Sequence, residues 1–173
     1  EAIRHALAAE NFERTADIAE RAWPDWSVSF QSIEWLNWLK RLPDEVARPR
    51  PVLCVAFAWA NLNAGNLETA RVWLENAEHL LGATTEIRSD EIIVVDEDQY
   101  QELPISFAAA RAYHAQATGN VTGTVKYSQQ VLDLLPDGYH PERGTATALL
   151  GLAYWTSGDL HAAHQTFSDG LAE

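Results

Sequence analysis

A short turn phrase occurs four times along this chain of 173 residues, and it constrains the fold more than any other feature. In each copy, an apolar residue follows the turn residue by two places and a small residue follows it by five. The copies begin Ala9-Glu10-Asn11-Phe12, Ala64-Gly65-Asn66-Leu67, Thr118-Gly119-Asn120-Val121 and Gly158-Asp159-Leu160. Each copy lies between two segments of helical periodicity, so the chain is predicted to use a helical hairpin four times.

The predicted fold is therefore all-α, a right-handed superhelical stack of antiparallel helical hairpins with about 8–10 helices. The hairpins are predicted at residues 2–23, 52–81, 105–135 and 145–171, with an extra helix at 28–42 and an acidic loop at 83–103. A helical turn around Asp98 to Leu103 is the alternative for the end of that loop. Trp23-Pro24 is predicted to end the first hairpin, because the residue before a proline disfavours the helical conformation. Pro104 is predicted in the first turn of the third hairpin, where its missing N–H is tolerated.

The spacing around the turns puts small residues where neighbouring helices would approach closely. Counted from Gly158, Gly151 lies seven places before, and Phe167 and Gly170 lie nine and twelve places after. This pattern resembles the tetratricopeptide repeat, a helical hairpin with a period of about 34 residues. The glycines of the last three copies are 54 and 39 residues apart, so the predicted array is irregular.

A more specific resemblance lies between Trp38 and Ala70. Here Trp38-Leu39-Lys40-Arg41-Leu42-Pro43-Asp44-Glu45-Val46 precedes Arg48-Pro49-Arg50-Pro51-Val52-Leu53-Cys54. This order resembles the helical-repeat region of MalT-type regulators, large ATP-dependent transcription activators of the LuxR family. The resemblance implies an ATPase module before this segment, a helix-turn-helix module after it, and inducer sensing or protein contact by the segment itself. The chain also has no methionine, and we expect it to be a fragment of a larger protein.

Charge and cysteine content restrict the classes of partner. The chain has 12 Lys and Arg against 25 Asp and Glu, a formal net charge of −13. Such an acidic chain repels phosphate, so we expect neither direct nucleic-acid contact nor binding to anionic membranes. No apolar run approaches membrane-spanning length. A single cysteine, Cys54, is typical of a reducing compartment, and a cytoplasmic location is predicted.

Ligand- or partner-binding residues are predicted on the first helices of the hairpins, which line the concave face of a tetratricopeptide-like array. The helical period points Trp59 and Asn63, Tyr113 and Gln116, and Trp155 toward that groove. Aromatic rings cover apolar faces and amides both donate and accept hydrogen bonds, so this set suits a sugar or a peptide. The alternative is that Trp59 and Trp155 pack between hairpins.

Arg111 is a further candidate, because it occupies a repeat position that is apolar in Phe57 and Leu150. A buried charge requires a partner. Arg111 is therefore predicted either to hold a carboxylate or phosphate of a ligand or, as the favoured alternative, to pair with an acidic side chain of the chain itself.

Other reactive residue types give weaker indications. The acidic run from Asp90 to Glu102 lacks the glycine of a calcium loop, and a solvated surface or a docking segment for a basic partner is favoured. His161 and His164 have a metal-compatible spacing without an evident third ligand, so no metal is predicted. Cys54 is predicted to be a small buried hydrophobe.

No spacing of Ser, His and Asp suggests a catalytic triad, and neither enzymatic activity nor a cofactor is predicted. The predicted function is a non-catalytic sensor or interaction region of an ATP-dependent LuxR-family regulator, binding a small inducer or a partner protein in its groove. The alternative is a peptide-binding tetratricopeptide adaptor or scaffold with no transcriptional role.

Overall fold

The computed structural model of the chain describes residues 2–28, 32–82, 92–136 and 140–172. Within these ranges the chain forms ten helices and no strand, which confirms the predicted all-α class. The helices are α1 (Ala2–Ala8), α2 (Phe12–Val28), α3 (Ser32–Leu39), α4 (Asp44–Ala47), α5 (Pro51–Asn63), α6 (Leu67–Gly82), α7 (Glu97–Ala117), α8 (Val121–Leu134), α9 (Pro141–Ser157) and α10 (Leu160–Ala172). The chain divides into two compact units, unit 1 up to Leu103 and unit 2 from Pro104, and the boundary lies within α7. The superhelical stacking of the hairpins stays a prediction.

Unit 1 is built around an aromatic core. The fully buried ring of Trp35 has its centroid 5.0 Å from that of Trp23 and 5.4 Å from that of Phe57. Phe57 in turn stacks on Trp73 of α6 at 4.6 Å. Helix α5 is buried on nearly every side, because α2, α3 and α6 all pack against it. The extra helix predicted at 28–42 corresponds to the shorter α3, and it supplies Trp35 to this core.

In unit 2, α8 and α10 both pack against α9. Gly151 of α9 lies so near α10 that a Cβ at this position would stand 2.5 Å from Phe167 Cε1. A Cβ at Gly170 of α10 would likewise stand 2.5 Å from Thr147 Cγ2 of α9. The small residues spaced around the last turn therefore lie where the two helices approach most closely, as their spacing predicted.

All four turn phrases adopt the same backbone conformation. The turn residues Glu10, Gly65, Gly119 and Gly158 have φ angles of 53°, 76°, 74° and 86°. Each donates its N–H to the carbonyl three residues before it, and the next N–H donates to the carbonyl five residues before that one. This pair of bonds closes a helix end through a left-handed residue. Glycine accepts the conformation without a steric penalty, and Glu10 adopts it despite its side chain.

Helix α2 continues through Pro24 to Val28, so the predicted end at Trp23-Pro24 is wrong. A proline inside a helix leaves the carbonyl four residues earlier without its usual N–H donor. For Pro24 that carbonyl belongs to Glu20, and it accepts a hydrogen bond from Gln99 Nε2 at 3.2 Å. A side chain from a distant segment thus supplies the bond that the proline cannot make.

Helix α7 begins at Glu97, inside the segment predicted as an acidic loop at 83–103, and Pro104 lies within the helix instead of in its first turn. Asp96 Oδ1 accepts from the N–H of Gln99 at 3.1 Å and caps the helix. Residues 92–96 are irregular, and residues 83–91 lie outside the described residues. The fourth hairpin also starts earlier than predicted, with Pro141 in the first turn of α9.

Candidate functional site

The two residues predicted to bind in unit 1 lie one turn apart on α5. Trp59 is half-buried and packs against the aromatic core, whereas Asn63, the last residue of α5, is exposed. The position of Trp59 agrees with the alternative that it serves packing.

The other four predicted residues lie in unit 2. Tyr113 and Trp155 are exposed, with 40 % and 60 % of their surface accessible, and Gln116 is half-buried. Arg111 is half-buried as well, and its guanidinium carbon lies 5.4 Å from the ring centroid of Phe107 and 6.0 Å from that of Tyr127. Its cation–π contacts show how an arginine fits a position that is apolar elsewhere in the repeat. That all six residues line one groove stays a prediction.

The exposure of Trp155 stands out when the turn phrases are aligned. Trp155 lies three residues before Gly158, and the equivalent residues are Leu7 in the first hairpin and Leu62 in the second. Both leucines are 3 % exposed, whereas Trp155 is 60 % exposed. The last hairpin therefore presents a large aromatic ring at a position that the first two hairpins bury. Exposed aromatic rings of this kind are frequent at binding surfaces.

Unit 1 contains a buried ion cluster that was not predicted from the sequence. Arg50, the residue before α5, is 2 % exposed and contacts three carboxylates on one face of α2. Its Nη1 lies 2.7 Å from Asp17 Oδ1 and 3.4 Å from Glu20 Oε2, and its Nη2 lies 2.8 Å from Glu13 Oε2. Glu20 is fully buried, while Asp17 and Glu13 reach the surface. The cluster thus runs from the interior to solvent and ties α2 to the start of α5.

The surroundings shift the pKa of both buried groups. Burial raises the pKa of Glu20 above the ordinary value of 4.5, and the opposing charge and hydrogen bond of Arg50 offset this only in part. Burial also tends to lower the pKa of Arg50, but its hydrogen bonds to Glu13 and Asp17 outweigh that effect and raise it. Arg50 therefore stays charged, and Glu20 is the group whose protonation depends on its environment.

The segment before α7 covers this cluster. The N–H of Ile93 donates to Pro49 O at 2.9 Å, and a backbone hydrogen bond from Val95 favours the charged form of Glu20. Gln99 adds the bond to the Glu20 carbonyl. The described part of the predicted acidic loop therefore packs within unit 1, against α2 and the residues before α5, and Asp96 serves as a helix cap.

The position of Glu20 on an apolar helix face is the feature of the sequence that points to this cluster. Glu20 follows Ala16 by four residues and precedes Trp23 by three, and both of these are buried. That spacing puts Glu20 on the core face of α2 and implies a partner for its charge. The partner Arg50 lies 30 residues away, a separation that helical periodicity does not predict.

Two further predictions concern reactive side chains. Cys54 is buried as predicted, and burial raises the pKa of its thiol to about 12. Asn76 Nδ2 lies 3.1 Å from Cys54 Sγ. His161 and His164 are both exposed. In the part of the chain that the structure describes, no group of three or more His, Cys, Asp or Glu residues is placed to hold a metal ion.

None of the helices within the described ranges combines the length and the apolar character needed to cross a membrane. No family model matches the chain, and no curated protein and no solved structure matches it either. The resemblance to MalT-type regulators therefore rests on the sequence alone, and the residues between Trp38 and Ala70 are its most specific part.

Proposed function

We propose that this chain is a non-catalytic interaction region, a tetratricopeptide-like stack of helical hairpins that binds a partner protein or a small inducer. The observation that carries the proposal is the exposure of Trp155 at 60 %, where the repeat-equivalent Leu7 and Leu62 are 3 % exposed. A tryptophan left in water does not gain the free energy that burial of its ring would contribute, and such residues are concentrated at binding sites. The shared backbone conformation of the four turns supports the stacked arrangement, because turns of the same geometry favour the same packing of successive hairpins.

We further propose that the region serves a cytoplasmic, ATP-dependent regulator of the LuxR family. This part of the proposal is supported by the resemblance between Trp38 and Ala70. Binding of an inducer or a regulatory protein would bias the attached ATPase and DNA-binding modules. The alternative, a tetratricopeptide adaptor with no transcriptional role, shares the binding surface and differs in the modules around it.

A binding experiment on the longer protein separates the two alternatives. The protein that contains this segment is expected to bind ATP and duplex DNA. If the protein fails to bind ATP, or fails to bind duplex DNA, the regulator proposal is wrong and the adaptor alternative remains.

A pair of tryptophan variants tests the binding surface itself. Trp155→Ala is expected to weaken capture of the natural partner while the helical circular dichroism and the melting temperature stay unchanged. Trp59→Ala, which removes a ring packed on the core, is expected to lower stability by about 1–3 kcal/mol. If Trp155→Ala unfolds the last hairpin, Trp155 is a core residue and the proposed surface is wrong.

A further inference from the structure

Unit 2 contains an open trough along α8 that none of the six predicted binding residues lines. Its volume is about 650 Å³, within the range of about 300–1,000 Å³ found for ligand sites. One wall is a single face of α8, and the other is the C-terminal end of α9 with the turn that follows it. The α8 face includes Val121, Val125, Gln129 and Asp133, and the opposite wall includes Tyr154 and Asp159.

The shape of the trough suits an extended chain. Val121 to Asp133 covers just over three helical turns, a length of roughly 18 Å at 1.5 Å per residue. An extended peptide rises about 3.3 Å per residue, so five or six residues would fill that length. Most of the lining surface is apolar, and Val121 and Val125 are among the lining residues.

Polar groups in the middle of the trough match those of a peptide backbone. Gln129 Nε2 donates to the hydroxyl oxygen of Tyr154 at 3.2 Å, and this bond holds the amide in place between the two helices. Gln130 supplies a second amide to the lining. A side-chain amide both donates and accepts hydrogen bonds, as each peptide unit of an extended chain does.

One end of the trough carries a negative charge. Lys126 is the one basic residue among its lining residues, and its Nζ lies 4.7 Å from the ring centroid of Tyr127. The acidic residues are Asp133 and Asp159. Asp133 lies in the last turn of α8, where the helix dipole adds partial negative charge. This end of the trough is therefore negative, in a chain whose formal net charge is −13.

From these observations we infer that the trough binds an extended polypeptide segment of five or six residues that carries a lysine or arginine next to Asp133. The aliphatic floor takes small apolar side chains, and the amides of Gln129 and Gln130 bond the peptide backbone. This site is independent of the proposed function, because its residues differ from those predicted for the concave face.

The test is selection of random heptapeptides displayed on phage against the immobilised 173-residue chain. Selected peptides are expected to share a basic residue at one position with apolar neighbours. Synthetic copies are expected to shift the NMR amide signals of Val125, Gln129 and Asp133. If selection yields no common sequence, or yields peptides without a basic residue, the inference is overturned.

Two charge-reversal variants localise the effect. Asp133→Lys reverses the charge at one end of the trough, and Asp169→Lys changes the net charge equally at an exposed residue of α10 that does not line it. Asp133→Lys is expected to weaken peptide binding about ten-fold or more, and Asp169→Lys by less than about two-fold. Equal losses in both variants would show non-specific attraction by the acidic surface and overturn the site.

Spermidine and maltotriose serve as probes of other ligand classes. Neither compound is expected to displace a selected peptide when the peptide is present near its own dissociation constant. If one of them shifts the trough signals while no peptide does, the site binds a polyamine or a carbohydrate, and the peptide inference fails. A loss of binding in Trp155→Ala with normal peptide binding would affect the proposed function alone.

Discussion

Gln99 Nε2 donates a hydrogen bond to the backbone carbonyl oxygen of Glu20 at 3.2 Å, across 79 positions of sequence. This is the carbonyl that Pro24 leaves without its helical donor. Glu20 thus makes two long-range contacts, one through its backbone to Gln99 and one through its carboxylate to Arg50. Unit 1 depends on this residue in ways that can be measured separately.

The bond between Gln99 and Glu20 predicts a coupling with Pro24. Gln99→Leu leaves a helix carbonyl without a donor and is expected to destabilise unit 1 by about 1–2 kcal/mol. In a Pro24→Ala background the restored backbone N–H supplies that bond, so Gln99→Leu is expected to cost clearly less. Urea unfolding followed by tryptophan fluorescence measures both, since six of the seven tryptophans lie in unit 1. If Gln99→Leu lowers stability equally in both backgrounds, Gln99 does not replace the hydrogen bond that is lost at Pro24.

The buried ion pair predicts a strong asymmetry between its single and double variants. Arg50→Met leaves the Glu20 carboxylate buried without its counter-charge and is expected to cost about 3–5 kcal/mol. Adding Glu20→Gln removes that charge and is expected to recover part of the loss. Arg71→Met is the control, because Arg71 pairs with Glu68 and Glu75 at the surface, and little change in the urea midpoint is expected there. A small effect of Arg50→Met would show that Glu20 is stable without it.

The raised pKa of Glu20 predicts a pH dependence of stability. A carboxyl with a higher pKa in the folded state binds its proton more tightly there than in the unfolded chain. Its contribution to stability is therefore fully present below the ordinary pKa of 4.5 and is lost as the pH rises through the raised value. Subtracting the urea midpoints of Glu20→Gln from those of the parent chain, between pH 4 and pH 8, isolates this effect. The urea midpoint of the parent chain minus that of Glu20→Gln is expected to fall as the pH increases. A difference that does not change with pH would contradict the raised pKa of Glu20.

Two glycines of α9 predict opposite effects of the same substitution. Gly151→Ala places a Cβ 2.5 Å from Phe167, and overpacking of this kind is expected to cost about 1–3 kcal/mol. Gly144→Ala, in the first part of the same helix, has open space and is expected to stabilise by up to about 1 kcal/mol through helix propensity. Thermal unfolding by circular dichroism compares the two. Combining Gly151→Ala with Phe167→Leu is expected to recover part of the loss, and a neutral Gly151→Ala would show that α9 and α10 are more widely spaced.

The first turn predicts a stabilising substitution. Glu10 is the one non-glycine residue with positive φ within the described ranges. Glu10→Gly relieves the penalty of the left-handed conformation and is expected to stabilise the first hairpin by about 0.5–1 kcal/mol, after the entropy that glycine adds to the unfolded chain. Gly65→Ala is the matched reverse change, since a Cβ there has open space and only the φ of 76° opposes it. Equal stability of Glu10→Gly and the parent chain would show that Glu10 is unstrained.

The sequence allowed the helical class, the turn positions and the close approach at Gly151 to be predicted, because all three depend on residues near one another in the chain. The helical continuation through Pro24 could not be predicted, since it requires Gln99, which no local rule connects to Glu20. The same reason hid the ion cluster. Glu13 and Asp17 have the spacing of an ordinary solvated helix face. Only the neighbouring Glu20 distinguishes this face of α2 from a solvated one. For the binding residues, periodicity predicted one shared groove, and this stays a prediction, with Trp155 and Tyr113 exposed and Trp59 half-buried.

The ion cluster also affects how the hairpins could be recombined. Because the turns of the four hairpins share one backbone conformation, the hairpins could be taken for interchangeable modules that can be shuffled, duplicated or expressed alone. The first hairpin does not meet that description, because its Glu20 is neutralised by Arg50 at the start of the second one. Transplanted without Arg50, it would carry a buried acid with no counter-ion. Modular redesign of this chain would therefore have to move the first hairpin together with Arg50 and the rest of unit 1, up to Leu103.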